Sequence, residues 1–354
     1  MLYSFTKANY FDNSEESIMQ MILNQVLTRY QPIFEANWQS ALNELHTAQV
    51  QLTSGSRLRP QLTLLGYLAS LSPKCWETDD LSLAAQVAVS IELIHKASLL
   101  LDDWIDGDMQ RHGLPAFHAE TTPEQAVLLA VKMVGLSTYR LRGVFPSDVI
   151  MPHSYFLCMD TLIDTIYSMA SGAYKELTIG PADLYNFESV REIAKLETAE
   201  IIGNSILMGF YSNMGNRRFP EAEAQFKKIG DKCGYIFQAM NDLEVFSKPK
   251  ALHEHKGHLN FDISTRRKSL TISLLYQIAS KQDRAKLEGA DRTELCALSQ
   301  KYQIVKYYMH ELEKEYASLL EDAVALASMG ISSEWCSLFQ AFLEIIKKTA
   351  EDRL

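Results

Sequence analysis

The chain has little that would staple or anchor it. Its five cysteines, at positions 75, 158, 233, 296 and 336 of 354, include no close pair and are odd in number. That argues against a disulfide framework or a zinc site and predicts buried thiols in a reducing cytoplasm. No uninterrupted apolar run reaches about 18 residues, so no transmembrane helix is expected. The most apolar segment, LSLAAQVAVSIELI at 81–94, is broken by Gln86 and Glu92 and reads as a buried helix. The opening MLYSFTKANYFDNSEE lacks the basic region, apolar run and small-residue cleavage site of a secretory signal. Positive charge is scarce as well. Against 44 Asp and Glu stand 34 Lys and Arg, a formal charge of -10 with no basic stripe. This disfavours nucleic acid as a partner and attachment to anionic lipid. A chain this acidic binds anions only where cations or metal ions are gathered locally.

Strict alternation of apolar and polar residues is also rare, and helical spacing dominates. Helices are predicted over 14–48, 60–70, 80–106, 121–143, 152–178, 187–213, 221–246, 268–279, 284–292, 297–325 and 332–349. Pro32 is expected to kink or divide the first of these. The breaks (GDMQRHGLP, FPSD, TIGPAD, NMGN, FSKPK, MGISS) are short and resemble no interdomain linker. The reading is one all-α domain over 1–354, a bundle of about ten or more helices, with residues 1–48 as a helical segment packing on the core.

Chemistry concentrates in HKASLLLDDWIDGDMQRHG, residues 95–113. Asp102, Asp103 and Asp106 share one helical turn, with 102 and 106 stacked on one face. Ala97 to Leu101 before them are almost wholly apolar, so the carboxylates lie at the mouth of an apolar environment. Like charges at this spacing repel, and acidic residues at a helix C-terminus oppose the dipole. A hard divalent cation removes both costs, and magnesium suits carboxylate and phosphate oxygens. The alternative is a plain acidic helix end. His95 lies two turns before Asp102 on a similar face; it reads either as a packed core histidine or as a substrate contact. Arg111, beside Asp108 and His112 in a glycine-bounded loop, reads as a phosphate clamp or a solvated arginine.

His95, Asp102, Asp103, Asp106, Asp108, Arg111, Gly113, Pro115 and His118 together resemble the first aspartate-rich motif of trans-isoprenyl diphosphate synthases, the farnesyl, geranylgeranyl and polyprenyl diphosphate synthase family. Other landmarks follow over roughly residues 50–280. GSRLRP at 55–60 is similar to GGKRxRP, GAYKEL at 172–177 to GQxxDL, IFQAMNDLEVF at 236–246 to FQxxDDxxD, and DISTRRKSLT at 262–271 to a later Asp-Gly-Lys-Thr element. KLETAE at 195–200 falls at a lysine-threonine pair. The resemblance implies an all-helical fold around a central cavity, a homodimer, and three magnesium ions held with the substrate diphosphate. It implies metal ligation by Asp102, Asp103, Asp106, Asn241 and Asp242. It further implies binding of prenyl and isopentenyl diphosphates through Arg57, Arg59, His95, Arg111, His112, Thr198, Gln238, Lys256 and Lys268, with Arg111 and Lys268 assisting ionisation. Ala97 and Ser98 stand where the family controls chain length, and such small residues imply a tail of C15 or longer. Closure by the C-terminal KKTAEDR, Lys347 to Arg353, follows the same analogy.

The departures are specific. Ser56 stands for the family's loop lysine and His112 for its second arginine, and each lost charge-assisted contact costs about 1.5–3 kcal/mol. Glu197 replaces a lysine, Ala173 a glutamine and Glu176 an aspartate. In the second acidic segment Asn241 and Val245 replace aspartates, and Glu244 lies one residue off the expected face. Three readings follow. One is a magnesium-dependent prenyltransferase with isopentenyl diphosphate or another acceptor. The second is a terpene-synthase-like cyclase or lyase on a C15–C20 diphosphate. The third is a non-catalytic or regulatory homologue.

Overall fold

A computed structural model of the chain describes residues 15–47, 50–53, 55–111, 113–145, 153–179, 185–215, 217, 219–243, 246, 269–287, 290 and 292–351. Helix α1 (Glu15–Leu45) runs through Pro32 and is not divided by it. Proline there removes one backbone donor. However, Leu23, Val26, Tyr30, Phe34, Trp38, Ala41 and Leu45 recur at helical spacing and are all buried, so packing along the whole length outweighs the lost bond.

Helix α2 (Leu58–Ala69) follows, and then α3 (Ser82–Asp106), which lies against α1, α2 and α4 (Pro123–Val144). By length and hydropathy α3 is able to cross a membrane, yet 72% of its apolar window is buried inside the protein. It is the core helix that its sequence suggests. It stops at Gly107, whose φ of 71° supplies the left-handed C-cap. The chain then turns in a short antiparallel pair, β1 (Gln110–Arg111) with β2 (Leu114–Pro115). A plain loop was expected there. The pair folds Arg111 back over the end of α3.

Helices α5 (His153–Thr178), α6 (Phe187–Ala194) and α7 (Glu200–Ser212) come next. The last two are continuous through one π-helical turn, Lys195–Ala199, a local widening often found at functional sites. Helix α8 (Pro220–Leu243) precedes α9 (Leu270–Ile278), α10 (Lys281–Leu287), α11 (Arg292–Tyr302), α12 (Ile304–Ala325) and α13 (Ser333–Glu351). The pattern read as one helix over 297–325 is two. Gln303, at φ 51°, breaks it. The break lets Leu295, Leu298 and Ile304 bury together against Leu275, Ala279 and Leu287. All five cysteines are free thiols; Cys75 is exposed, against the expectation of burial, because it ends an isolated turn at the surface.

One core cluster joins α1 to α5 with α7, α8, α12 and α13. Its closest seam is α2 on α7. A Cβ on Gly66 would stand 1.8 Å from the Ile206 carbonyl oxygen, and one on Gly209 would stand 1.8 Å from that of Thr63. The seam fixes α2, and with it the loop that precedes it. Gly66→Ala is therefore expected to lower unfolding free energy by at least about 1–3 kcal/mol in urea titrations. Gly143→Ala, with open space around it, should be neutral or add up to about 1 kcal/mol.

Candidate active site

The loop before α2 needs two left-handed residues, Gly55 (φ 116°) and Arg57 (φ 55°). For arginine that conformation costs on the order of 1 kcal/mol, and what holds it is visible. The Arg57 guanidinium lies 5.6 Å from the Phe34 ring centre and 5.2 Å from that of Trp38. Its Nε donates to Glu35 Oε1 at 3.0 Å, Nη1 to Glu92 Oε1 at 2.9 Å and Nη2 to the Thr53 carbonyl at 2.9 Å. Burial works against its charge, and Glu92 and Glu35 more than offset that, leaving its pKa raised. Expected as a substrate ligand, Arg57 is instead committed to two carboxylates and frames the loop.

Two residues on, Arg59 behaves differently. Its guanidinium lies 5.8 Å from the Phe237 ring centre on α8, and its buried Nε has no hydrogen-bond partner. Burial pulls its pKa down to about 10, with Glu92 partly opposing. On α3, His95 is held well below the usual histidine range, first by burial and then by Arg59, Lys96, Arg111 and Arg57. It is thus a neutral imidazole inside a ring of cations. Lys96, 4% exposed, is lowered to about 8 by burial, while Glu92 favours its charged form. Ser98 Oγ donates back to the His95 carbonyl at 2.8 Å, and Ala97 packs in the core.

At the end of α3, Asp103 is buried, Asp106 half-buried and Asp102 exposed. Arg111 spans two of them. Its Nε donates to Asp103 Oδ1 at 2.6 Å and its Nη2 to Asp102 Oδ2 at 3.0 Å. Burial raises the Asp103 pKa, and Arg111 limits the rise. Trp104 and Ile105 are exposed on the rim.

A second group sits where the π turn meets α8. Thr198 Oγ1 donates to Gln238 Oε1 at 3.0 Å, and Gln238 Nε2 donates to Asp242 Oδ1 at 2.8 Å. Asp242 Oδ2 accepts from the Leu270 amide at 2.5 Å, which anchors the start of α9. Asp242, read as a metal ligand, therefore has both oxygens engaged within the protein, and Asn241 beside it is half-buried. Glu197 lies across Gly172 of α5, where a Cβ would meet its Cγ at 2.6 Å. Lys347 stacks on Tyr316, 4.9 Å from its ring centre. His112, Glu244, Val245, Lys256, Lys268 and Arg353 lie outside the described residues.

The structure thus groups Arg59, His95 and Lys96 near Glu92, with Arg111 reaching from the aspartate turn into the same field. It places Thr198, Gln238 and Asp242 in a separate hydrogen-bonded chain, connected to the first group through Arg59 on Phe237. Glu35, Glu92 and Lys96 were missed as site residues. The available signal was Glu92 and Lys96 at i, i+4 within an otherwise apolar helix, a pair that burial forces into compensation. A cavity of about 400 Å³ opens beside Ser70, Phe210, Met214 and Phe219; it lies at the opposite end of α2 from Arg59 and includes none of these groups.

The oxygen donors at the end of α3 suit a hard divalent cation, and the guanidinium between Asp102 and Asp103 shows that the turn collects positive charge. Among the described residues no three carboxylate, imidazole or thiol groups converge as a complete metal shell.

A family model described as polyprenyl synthetase matches residues 40–308. A short chain isoprenyl diphosphate synthase of Methanothermobacter thermautotrophicus is 26% identical over 234 residues, 66% of this chain and 66% of that protein. A geranylgeranyl diphosphate synthase of Methanosarcina mazei is 24% identical over 214 residues, 58% of this chain and 60% of that one. The chain therefore matches slightly under two thirds of the length of these relatives. A polyprenyl synthetase from Streptomyces coelicolor A3(2) has the same fold, with a TM-score of 0.72 and 17% identity over 93% of this chain and 99% of that one.

Glu92 ties the loop to α3, so Glu92→Gln is expected to cost about 3–5 kcal/mol, because it leaves Arg57 buried without its inner carboxylate. Urea unfolding followed by circular dichroism checks this. A loss below about 1 kcal/mol would contradict the role given to the pair.

Proposed function

Because the chain belongs to the polyprenyl synthetase family, we propose that it is a magnesium-dependent prenyltransferase. In this reading it ionises an allylic prenyl diphosphate and couples it to isopentenyl diphosphate or another acceptor. The observation that carries this is the Asp102–Asp103–Asp106 turn at the end of an apolar helix, with Arg111 paired to two of its carboxylates and with Arg59 and Lys96 grouped around Glu92 deeper along the same helix. Bound magnesium would supply neutralisation of the leaving diphosphate, with Asp102, Asp103 and Asp106 as its protein ligands. Arg111 releases carboxylate for phosphate as the anion arrives, and its planar fork suits either partner. Arg59 and His95 line the acceptor side; the neutral imidazole donates a hydrogen bond without adding charge. The allylic C–O bond breaks with its electron pair going to diphosphate. The acceptor double bond then forms the new C–C bond, and one proton and one diphosphate are released. Apolar residues of α3, Ala97 and Leu100 among them, keep water from the cation.

The test is a mass-spectrometric screen of C5 to C20 allylic diphosphates with magnesium, with and without isopentenyl diphosphate. Elongated diphosphates support the proposal. A hydrocarbon or alcohol formed without isopentenyl diphosphate selects the cyclase reading, and no diphosphate release from any substrate selects the non-catalytic one. Asp103→Ala is expected to lower kcat/KM about 100-fold or more.

We further propose a homodimer formed through α4 and α5. Leu128, Val131 and Tyr139 on one, and Ile163, Tyr167 and Tyr174 on the other, make adjacent exposed apolar stripes, which suit a self-complementary two-fold contact. Tyr139→Glu with Tyr167→Glu should shift sedimentation to the monomer mass; an unchanged dimer would place the contact elsewhere.

A further inference from the structure

The loop Gly55–Ser56–Arg57 contributes little free positive charge. Ser56 is neutral, and Arg57 is held by Glu35 and Glu92. Yet an ammonium reaches the loop from the opposite side. The Nζ of Lys96, on α3, lies 3.2 Å from where a Cβ of Gly55 would stand. A side chain at position 55 would press on that nitrogen, and glycine leaves the approach open. Lys96 also faces Arg59, whose buried Nε has no partner in the protein. The buried carboxylate nearest to both is Glu92, which already pairs with Arg57. Among the described residues Arg57, Arg59 and Lys96 thus share the buried carboxylate of Glu92, with Glu35 added at the edge. Such an excess of desolvated positive charge calls for an anion.

We propose that Lys96 is a diphosphate-binding residue of the acceptor subsite, reaching from α3 to the loop and acting with Arg59 in place of the charge that Ser56 lacks. This rests on the prenyltransferase reading above. The ammonium sits on a long core helix, so it is presented rigidly. It is also titratable. Burial holds it at about 8, with Glu92 from its own helix favouring the charge and Arg57, Arg59 and Arg111 from the loop, α2 and β1 opposing it. His95 adds no charge there. Anion affinity therefore falls as pH rises through about 8 and the ammonium loses its proton.

Calorimetry with metal-free full-length protein tests this, using isopentenyl diphosphate as the probe. A C15 allylic diphosphate with magnesium serves as the second probe. Lys96→Met is expected to weaken isopentenyl diphosphate about 10- to 100-fold and to alter the allylic probe far less. Lys96→Arg should retain binding and remove the decline above pH 8. Moving the ammonium back to the loop, Ser56→Lys with Lys96→Thr, should restore affinity. A folded Lys96→Met that binds isopentenyl diphosphate as tightly as the natural chain overturns the proposal. Equal weakening of both probes in that variant does the same, as does the absence of a pH decline in the natural chain, which needs no methionine variant. If the natural chain binds the allylic probe but no isopentenyl diphosphate, Lys96 fails while the ionisation reading stands. If it binds neither, the prenyltransferase reading itself falls.

Discussion

The buried carboxylate of Glu92 holds the cationic half of this site together. It is 2% exposed on the helix that forms the centre of the core, where a lone negative charge would be prohibitively expensive. It is tolerable because Arg57 meets it at 2.9 Å and Lys96 and Arg59 lie within its field. The converse matters more. Without that carboxylate, Arg57, Arg59 and Lys96 could not be brought together between one loop, the start of α2 and the middle of α3. The pairing in turn sets Arg57 in its left-handed conformation, starts α2 at Leu58 and aims Arg59 at Phe237 of α8. One ion pair thereby positions groups from α1, α2, α3 and α8.

The acidic end of α3 follows the same rule with opposite sign. Asp103 is buried and its carboxyl resists ionisation, while Asp102 remains in solvent. Arg111 is brought over both by Gly107 and the two-residue strand pair. The turn thus carries an internal counter-ion that holds the two carboxylates close. Under the proposed function a diphosphate would exchange for those carboxylates on a planar guanidinium without either anion entering an uncompensated low-dielectric pocket.

Much of this was legible in the sequence, and the gaps have physical causes. Helical periodicity placed α3, α4, α5 and α8 to within a few residues, because each buries a continuous apolar face. It failed at Gln303, where one periodic pattern hides a backbone reversal that only the packing of Leu295 and Ile304 requires. At Pro32 it held where the local breaker suggested a division, because burial along α1 keeps one helix. The aspartate turn and Arg111 were readable because their spacing is local. The division of labour between Arg57 and Arg59 was not, since it depends on Glu35 and Glu92, 22 and 35 residues from Arg57 in the chain. Asp242 illustrates the same limit. Its position suggested a metal ligand, but its partners, Gln238 and the Leu270 amide, are set by how α9 docks on α8.

That docking bears on how far the second acidic segment departs from a carboxylate cluster. With Asn241 neutral and Asp242 capping α9, α8 presents little negative charge toward α3 among the described residues. In the proposed reaction the burden of drawing cations would then fall on the turn at Asp102, Asp103 and Asp106, while α2 and α3 supply positive charge from Arg59 and Lys96. Such a reaction would lean less on metal ions bridging two acidic helices and more on side chains already held in place. Pre-organised donors on rigid helices lose little entropy when an anion binds. Their placement in the core is also why the same charges must be balanced by Glu92 when no anion is present.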